Sequence, residues 1–153
     1  MDWYLLRTKP REEWRAKQHL ENQDFETYLP VLTRKNSREE PLFPGYIFLA
    51  RPADEVPLHT ISSTRGVLNF VRFGIEIATA PAALIEEIQS IEQLYRDVPK
   101  FKPGQQVECK AGPFAGLQAI FESDNGQDRC VILLKILNAE RKIIVSQSDL
   151  KAL

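Results

Sequence analysis

Cysteine is almost absent from this chain of 153 residues, which has only Cys109 and Cys130. They stand apart with no C-x-x-C spacing, which argues against a disulfide framework and a cysteine zinc site and makes a reducing compartment the expectation. Each reads as a small buried apolar side chain. Histidine is as scarce. His19 and His59 have no cysteine or paired carboxylate at ligand or triad spacing, and no glycine-rich loop is present to cradle a phosphate. No metal, no cofactor and no enzymatic activity are therefore expected. Long apolar runs are missing too: nothing approaches the roughly 18 residues of a membrane span, and Met1-Asp2-Trp3-Tyr4 lacks the basic start and apolar centre of a secretory signal. A soluble, cytoplasmic chain with no membrane partner is the expectation. Neither sign of charge dominates, since 20 Lys and Arg against 21 Asp and Glu leave a net charge of −1. Nucleic acid would have to be held by a local patch, not by bulk attraction.

What the chain does have is one dense apolar and aromatic run, Pro41-Leu42-Phe43-Pro44-Gly45-Tyr46-Ile47-Phe48-Leu49. It reads as the central strand of the main domain. Alternation from Gly45 puts Tyr46 and Phe48 on one face and Ile47 and Leu49 on the other, so both faces must be covered or used. Pro41 and Pro44 hold the approach extended and remove two ladder donors, which leaves Phe43 at the start or edge of the strand with its ring projecting. Ile47 and Leu49 read as core. Phe43, Tyr46 and Phe48 are candidates for a hydrophobic groove that takes a partner.

Ahead of that run, Trp3-Tyr4-Leu5-Leu6 reads as a strand ended by Lys9-Pro10, and a helix is expected from Pro10 to about Gln23. Arg11, Arg15, His19 and Asn22 recur at intervals of four, four and three, so they would stack in one row with Lys9 just ahead. That is a local basic stripe, tempered by Glu12 and Glu13. Residues 25–32 read as extended, and Thr33 to Glu40 as a polar loop of a hairpin that returns through the aromatic run. Thr60, Ser62, Ser63 and Thr64 gather hydroxyls that suit a phosphate, a base or a turn. Residues 64–74 read as a strand with Arg65 at its mouth. Pro81 opens a helix to about Arg96 with Leu84, Ile85, Ile88, Ile91, Leu94 and Tyr95 on its apolar stripe.

The fold class is therefore α+β. Residues 1–96 form an α/β sandwich, an antiparallel sheet with flanking helices. Residues 97–103 have the composition of a linker, and 104–153 form a small second segment. That tail satisfies two periodicities. As β it outlines a five-strand barrel, with turns at Gly112-Pro113-Phe114-Ala115-Gly116 and Asp124-Asn125-Gly126. As α it carries helical spacing in Leu117, Ile120 and Phe121 and again in Val131, Leu134 and Leu137. The run 131–137 is apolar on both faces, more than one inner face of a barrel requires.

On these residues the chain resembles the NusG/Spt5 family of transcription elongation factors over nearly its whole length. The likeness rests on Trp3-Tyr4-Leu5-Leu6, Phe43-Pro44-Gly45-Tyr46-Ile47-Phe48, Gly66-Val67 to Phe70-Val71, and Gly104 to Gly116. Pro41-Leu42-Phe43-Pro44, Thr64-Arg65-Gly66-Val67, Phe70-Val71-Arg72-Phe73-Gly74 and Leu117-Gln118-Ala119-Ile120-Phe121 are similar to its operon-specific RfaH branch. The resemblance implies a monomeric antitermination factor whose N-terminal domain binds the clamp helices of the largest RNA polymerase subunit through Phe43, Pro44, Tyr46 and Phe48. It implies a patch of Lys9, Arg15, His19, Thr64 and Arg65 that reads single-stranded non-template DNA, to which the basic stripe adds Arg11, and a gate-loop contact at His59 and Thr60. That contact departs from the branch's pattern, since Pro57-Leu58-His59-Thr60 stands where a His-Thr-Thr motif is expected. The resemblance further implies a C-terminal KOW segment that switches fold. In the free protein it would be a helical hairpin docked through Leu117, Ile120, Phe121, Leu134 and Leu137 and locked by Glu40 with Arg129. Released, it would be a five-strand barrel that meets the small ribosomal subunit. A general elongation factor is the alternative within the family. A ribosome- or RNA-binding KOW protein is a further one, against which the near-neutral tail speaks.

Overall fold

The computed structural model describes residues 2–33, 38–97 and 114–151. Its organising element is β1 (Trp3–Thr8), whose alternation serves two cores: Trp3 and Leu5 enter one apolar cluster, Tyr4 and Leu6 the other. After α1 (Glu13–Glu21) come β2 (Thr27–Tyr28), β3 (Val31–Thr33), β4 (Glu39–Pro41) and β5 (Tyr46–Ala50). Then follow α2 (Leu58–Ser62), β6 (Val67–Phe70), β7 (Arg72–Phe73), β8 (Glu76–Ile77), β9 (Thr79–Ala80) and α3 (Ala82–Asp97). The antiparallel sheet runs β2-β5-β1-β6, with β9 also paired to β1. Leu5 lies opposite Phe48 and Leu6 opposite Ile47, so the alternation of the two strands is in phase.

The hub is thus β1, not the aromatic run expected to be central. Pro41 ends the separate β3-β4 hairpin opposite Val31, Pro44 lies between that hairpin and β5, and only Tyr46 to Ala50 join the main sheet, between β2 and β1. The faces of β5 are as expected. Phe48 joins the first cluster with Tyr46 packed against it, while Ile47 and Leu49 join the second. α1 and α2 cover the second face with Ala16, Leu20 and Ile61.

Three expected elements are differently bounded, and a helix stands where none was expected. The first helix starts at Glu13, because the Lys9 carbonyl accepts from the Glu12 amide at 3.0 Å and Arg11 has φ +62°. Proline at the second position and positive φ at the third make this a type II turn, which takes Arg11 off the helix and out of the stacked row. The extended segment 25–32 breaks at Pro30 into β2 and β3, and β3 pairs with β4. Leu58–Ser62 is helical. Residues 64–74 are not one strand: Gly66 turns with φ +88°, and a Cβ there would lie 2.8 Å from the Ala16 backbone nitrogen. β6 follows, and β7 then pairs with β8 as a separate hairpin.

α3 buries Leu84, Ile85 and Ile88 on the first face, but Leu94 is 42% exposed, beyond the sheet it was expected to cover. The Tyr28 hydroxyl donates to the Glu92 carboxylate, tying α3 to β2. α3 leaves part of that face uncovered, and α4 (Leu117–Glu122) and α5 (Gly126–Lys151) occupy it. The tail is helical here, which resolves the two periodicities in this arrangement. A helix of six residues is not stable by itself in water, so docking is what holds α4. Of the expected linker 97–103, Asp97 ends α3 and the rest lies outside the described residues, as do Cys109 and the tail to residue 113. Among the described residues no helix is long and apolar enough to cross a membrane.

Candidate functional site

Two surfaces carry the candidate residues, one on each side of the sheet. On the first face Phe43 is 1% exposed and Phe48 fully buried. Their rings meet edge to face at 6.3 Å, and Phe48 stacks on Tyr28 at 6.1 Å. Tyr46 is half-buried and Pro44 exposed. The cover consists of Phe114, Leu117, Ile120, Phe121, Cys130, Leu133, Ile136 and Leu137, all buried in the same cluster. Leu134, expected at the contact, lies only partly buried at its margin, and Val131 is 49% exposed. Leu133, Ile136, Cys130 and Phe114 were missed. Cys130, Leu133 and Ile136 recur every three residues of α5, a helical stripe, but in a run whose only polar residue is Lys135 several stripes fit nearly as well.

Arg129 is the polar centre of the contact. Its side chain is 2% exposed, and a buried guanidinium must find acceptors for its donors. Nε donates to the Leu42 carbonyl at 2.7 Å, Nη1 to the Ser123 carbonyl at 3.0 Å and Nη2 to Glu40 Oε1 at 3.3 Å. Ser123 follows α4, so one cation caps that helix, holds the strand approach and pairs with an acid on β4. The turn between the helices is also specified. Asn125 Oδ1 accepts from the Gln127 and Asp128 amides at 2.8 and 3.4 Å, capping α5. A Cβ on Gly126 would lie 2.6 Å from Pro44 Cγ. Cys130 Sγ is 3.5 Å from the Pro44 carbonyl oxygen, and burial pushes its thiol up to about 11. Farther along α5, Arg141 pairs with Glu76 of β8 at 2.8 Å.

On the opposite face, between α1 and α2, lies a cavity of about 380 Å3 lined by His19, Asn22, Gln23, His59, Thr60, Ser63, Thr64 and Arg65. The Thr64 hydroxyl donates to the Thr60 carbonyl at 2.8 Å and accepts from Gln23 Nε2 at 2.9 Å. Gln23 Nε2 also donates to the His19 carbonyl at 3.0 Å. Thr64 is 7% exposed and serves mainly to brace the wall, while Arg65 is exposed. Of the expected DNA-reading set, His19, Thr64 and Arg65 come together here, and Lys9, Arg11 and Arg15 lie outside the lining. His59 and Thr60, assigned by resemblance to a separate gate-loop contact, line this same cavity. Gln23 was missed as a site residue; it lies in the turn just past the end of α1, which brings it back beside His19. Imidazoles, amides, hydroxyls and a guanidinium around a hollow of this size can hydrogen-bond a planar polar group such as a base edge. The cavity and the aromatic face are separated by the sheet, so covering one leaves the other open.

The family model for NusG, described as transcription termination factor nusG, matches residues 1–91. The transcription termination/antitermination proteins NusG of Helicobacter pylori strains 26695 and J99 are each 27% identical over 151 residues, covering 84% of this chain and 85% of their own. A solved structure of domain interaction in Thermotoga maritima NusG has a TM-score of 0.47 at 20% identity and covers 70% of this chain and 69% of its own.

Proposed function

Because the chain belongs to the NusG family of transcription termination factors, we propose that it acts as an operon-specific elongation and antitermination factor of the RfaH type. In this reading Phe43, Pro44, Tyr46 and Phe48 bind the clamp helices of RNA polymerase. The His19, Thr64 and Arg65 cavity takes an unstacked base of the exposed non-template strand, with Lys9, Arg11 and Arg15 on neighbouring phosphates. The observation that carries the reading is the burial of Phe43 and Phe48 under α4 and α5. A polymerase-binding surface in that state is closed until the hairpin leaves, while the cavity on the other face stays open to read DNA first. Recruitment then depends on a DNA signal.

Once released, residues 104–153 refold into a five-strand KOW barrel that contacts the small ribosomal subunit. Supporting this, Asp124-Asn125-Gly126 suits a hairpin turn as well as the cap it forms on α5, while the apolar excess of 131–137 serves the helical form. The test is a titration of RNA polymerase, without DNA, by the intact protein, the hairpin-releasing variant Arg129→Ala, and Arg129→Ala with Tyr46→Ala. The single variant binds more tightly than the intact protein, and adding Tyr46→Ala weakens it by ~2 kcal/mol, as removal of an aromatic anchor does. Equal binding by the intact protein and the Arg129 variant makes the chain a general elongation factor instead.

A further inference from the structure

Arg15 lies outside the cavity lining, but it stands one helical turn ahead of His19 on the same side of α1, next to the cavity's rim. In the structure it is engaged. Its Nη1 lies 2.8 Å from Glu12 Oε1, with Arg15 53% and Glu12 26% exposed. Glu12 occupies the N-cap position of α1, yet its side chain makes no capping hydrogen bond; its carboxylate goes to Arg15. The type II turn that takes Arg11 out of the helix also sets Glu12 at the helix start, three residues before its partner. Stability does not account for the arrangement, because an exposed pair of this kind contributes little.

We propose that Glu12 is a specificity-determining residue for single-stranded DNA: by occupying the Arg15 guanidinium it cancels this cation's contribution to sequence-independent phosphate binding. The inference rests on the DNA-binding reading above. A phosphate that approaches Arg15 must exchange with a carboxylate, one anionic acceptor for another, so the contact yields little net affinity for an arbitrary strand. Contacts inside the cavity, made by His19, Gln23 and Arg65 to a base, are untouched by this exchange. Recruitment therefore draws less on phosphate and rests more on the base contacts, because non-specific affinity for nucleic acid comes almost entirely from phosphate neutralisation.

The experiment measures binding of short mixed-sequence single-stranded DNA oligonucleotides over a salt series to four forms of the full chain: the parent, Glu12→Gln, Arg15→Ala and the double variant. Glu12→Gln, nearly isosteric, raises mixed-sequence affinity about fivefold and steepens the slope of log K against log salt by about 0.7, the value of one more neutralised phosphate. In the Arg15→Ala background the same replacement changes neither. An equal gain in both backgrounds overturns the proposal, since Glu12 would then merely repel the strand; so does an unchanged slope. A parent that binds DNA with the slope of Glu12→Gln also overturns it while leaving the DNA-binding reading standing. Absence of binding by all four forms overturns that reading and this inference together.

Discussion

Replacing Arg129 by Ala probes the docked tail most directly. The change removes a guanidinium that is 2% exposed and deprives the Leu42 and Ser123 carbonyls and Glu40 of a donor. Truncating one partner of a buried pair costs ~3–5 kcal/mol. Here the acid left behind is 36% exposed and stays hydrated, so the low end applies, ~3 kcal/mol or about a hundredfold in the undocked population. Glu40→Ser leaves both carbonyl acceptors in place but deprives a guanidinium that is 2% exposed of its acid, for ~1–3 kcal/mol or about five- to a hundredfold. The assay is thiol labelling of Cys130 in a Cys109→Ser background. Cys130 is 8% exposed beneath the interface, so it reacts through opening, and its rate follows the open fraction when reclosing is faster than labelling. Backbone hydrogen exchange at Leu5 and Ile47 checks that the sheet remains folded. A labelling rate within twofold of the parent for Arg129→Ala refutes the placement of Arg129 as the polar centre of the contact.

Gly126→Ala tests the approach of α5 to Pro44. Alanine favours a helix over glycine by up to ~1 kcal/mol, but its Cβ meets a stiff pyrrolidine ring at 2.6 Å. Faster Cys130 labelling is therefore expected in spite of the better propensity, and slower labelling shows that the ring gives way. The Cys130 thiol, held at about 11 in place of its ordinary 9.0 chiefly by burial, predicts a pH dependence of docking. A raised pKa means that the docked form retains its proton longer, so docking is at full strength below about 9 and weakens as pH rises through about 11. The loss amounts to roughly 3 kcal/mol at the upper limit. Comparing helix content from pH 8 to 11.5 for the parent and Cys130→Ala checks this, and parallel curves contradict it.

The sandwich was legible in the residues alone. Alternation in Trp3 to Leu6 and in Tyr46 to Leu49 assigned side chains to two faces, and the stripe of Leu84, Ile85 and Ile88 supplied a covering helix, because periodicities of 2 and 3.6 are local properties of the backbone. The pairing of Arg129 with Glu40 was named only through family resemblance, since nothing local joins positions 89 residues apart. The helix start was misplaced because Pro10 suits a first helical turn and a type II turn equally well, and only the Lys9 to Glu12 hydrogen bond separates the two. The tail shows the limit most clearly. Residues 131–137, apart from Lys135, are apolar on both strand faces and on a helical stripe alike, and Asp124-Asn125-Gly126 serves a strand turn or a helix cap, so local preference was divided. What decided it was tertiary: the first face of the sheet, covered only in part by α3, offers Phe43 and Phe48 for burial, and a helical hairpin with Arg129 at its centre fits that opening. The cavity was likewise invisible as a unit, because His19 and His59 become neighbours only when α1 and α2 pack on the same face of β1 and β5.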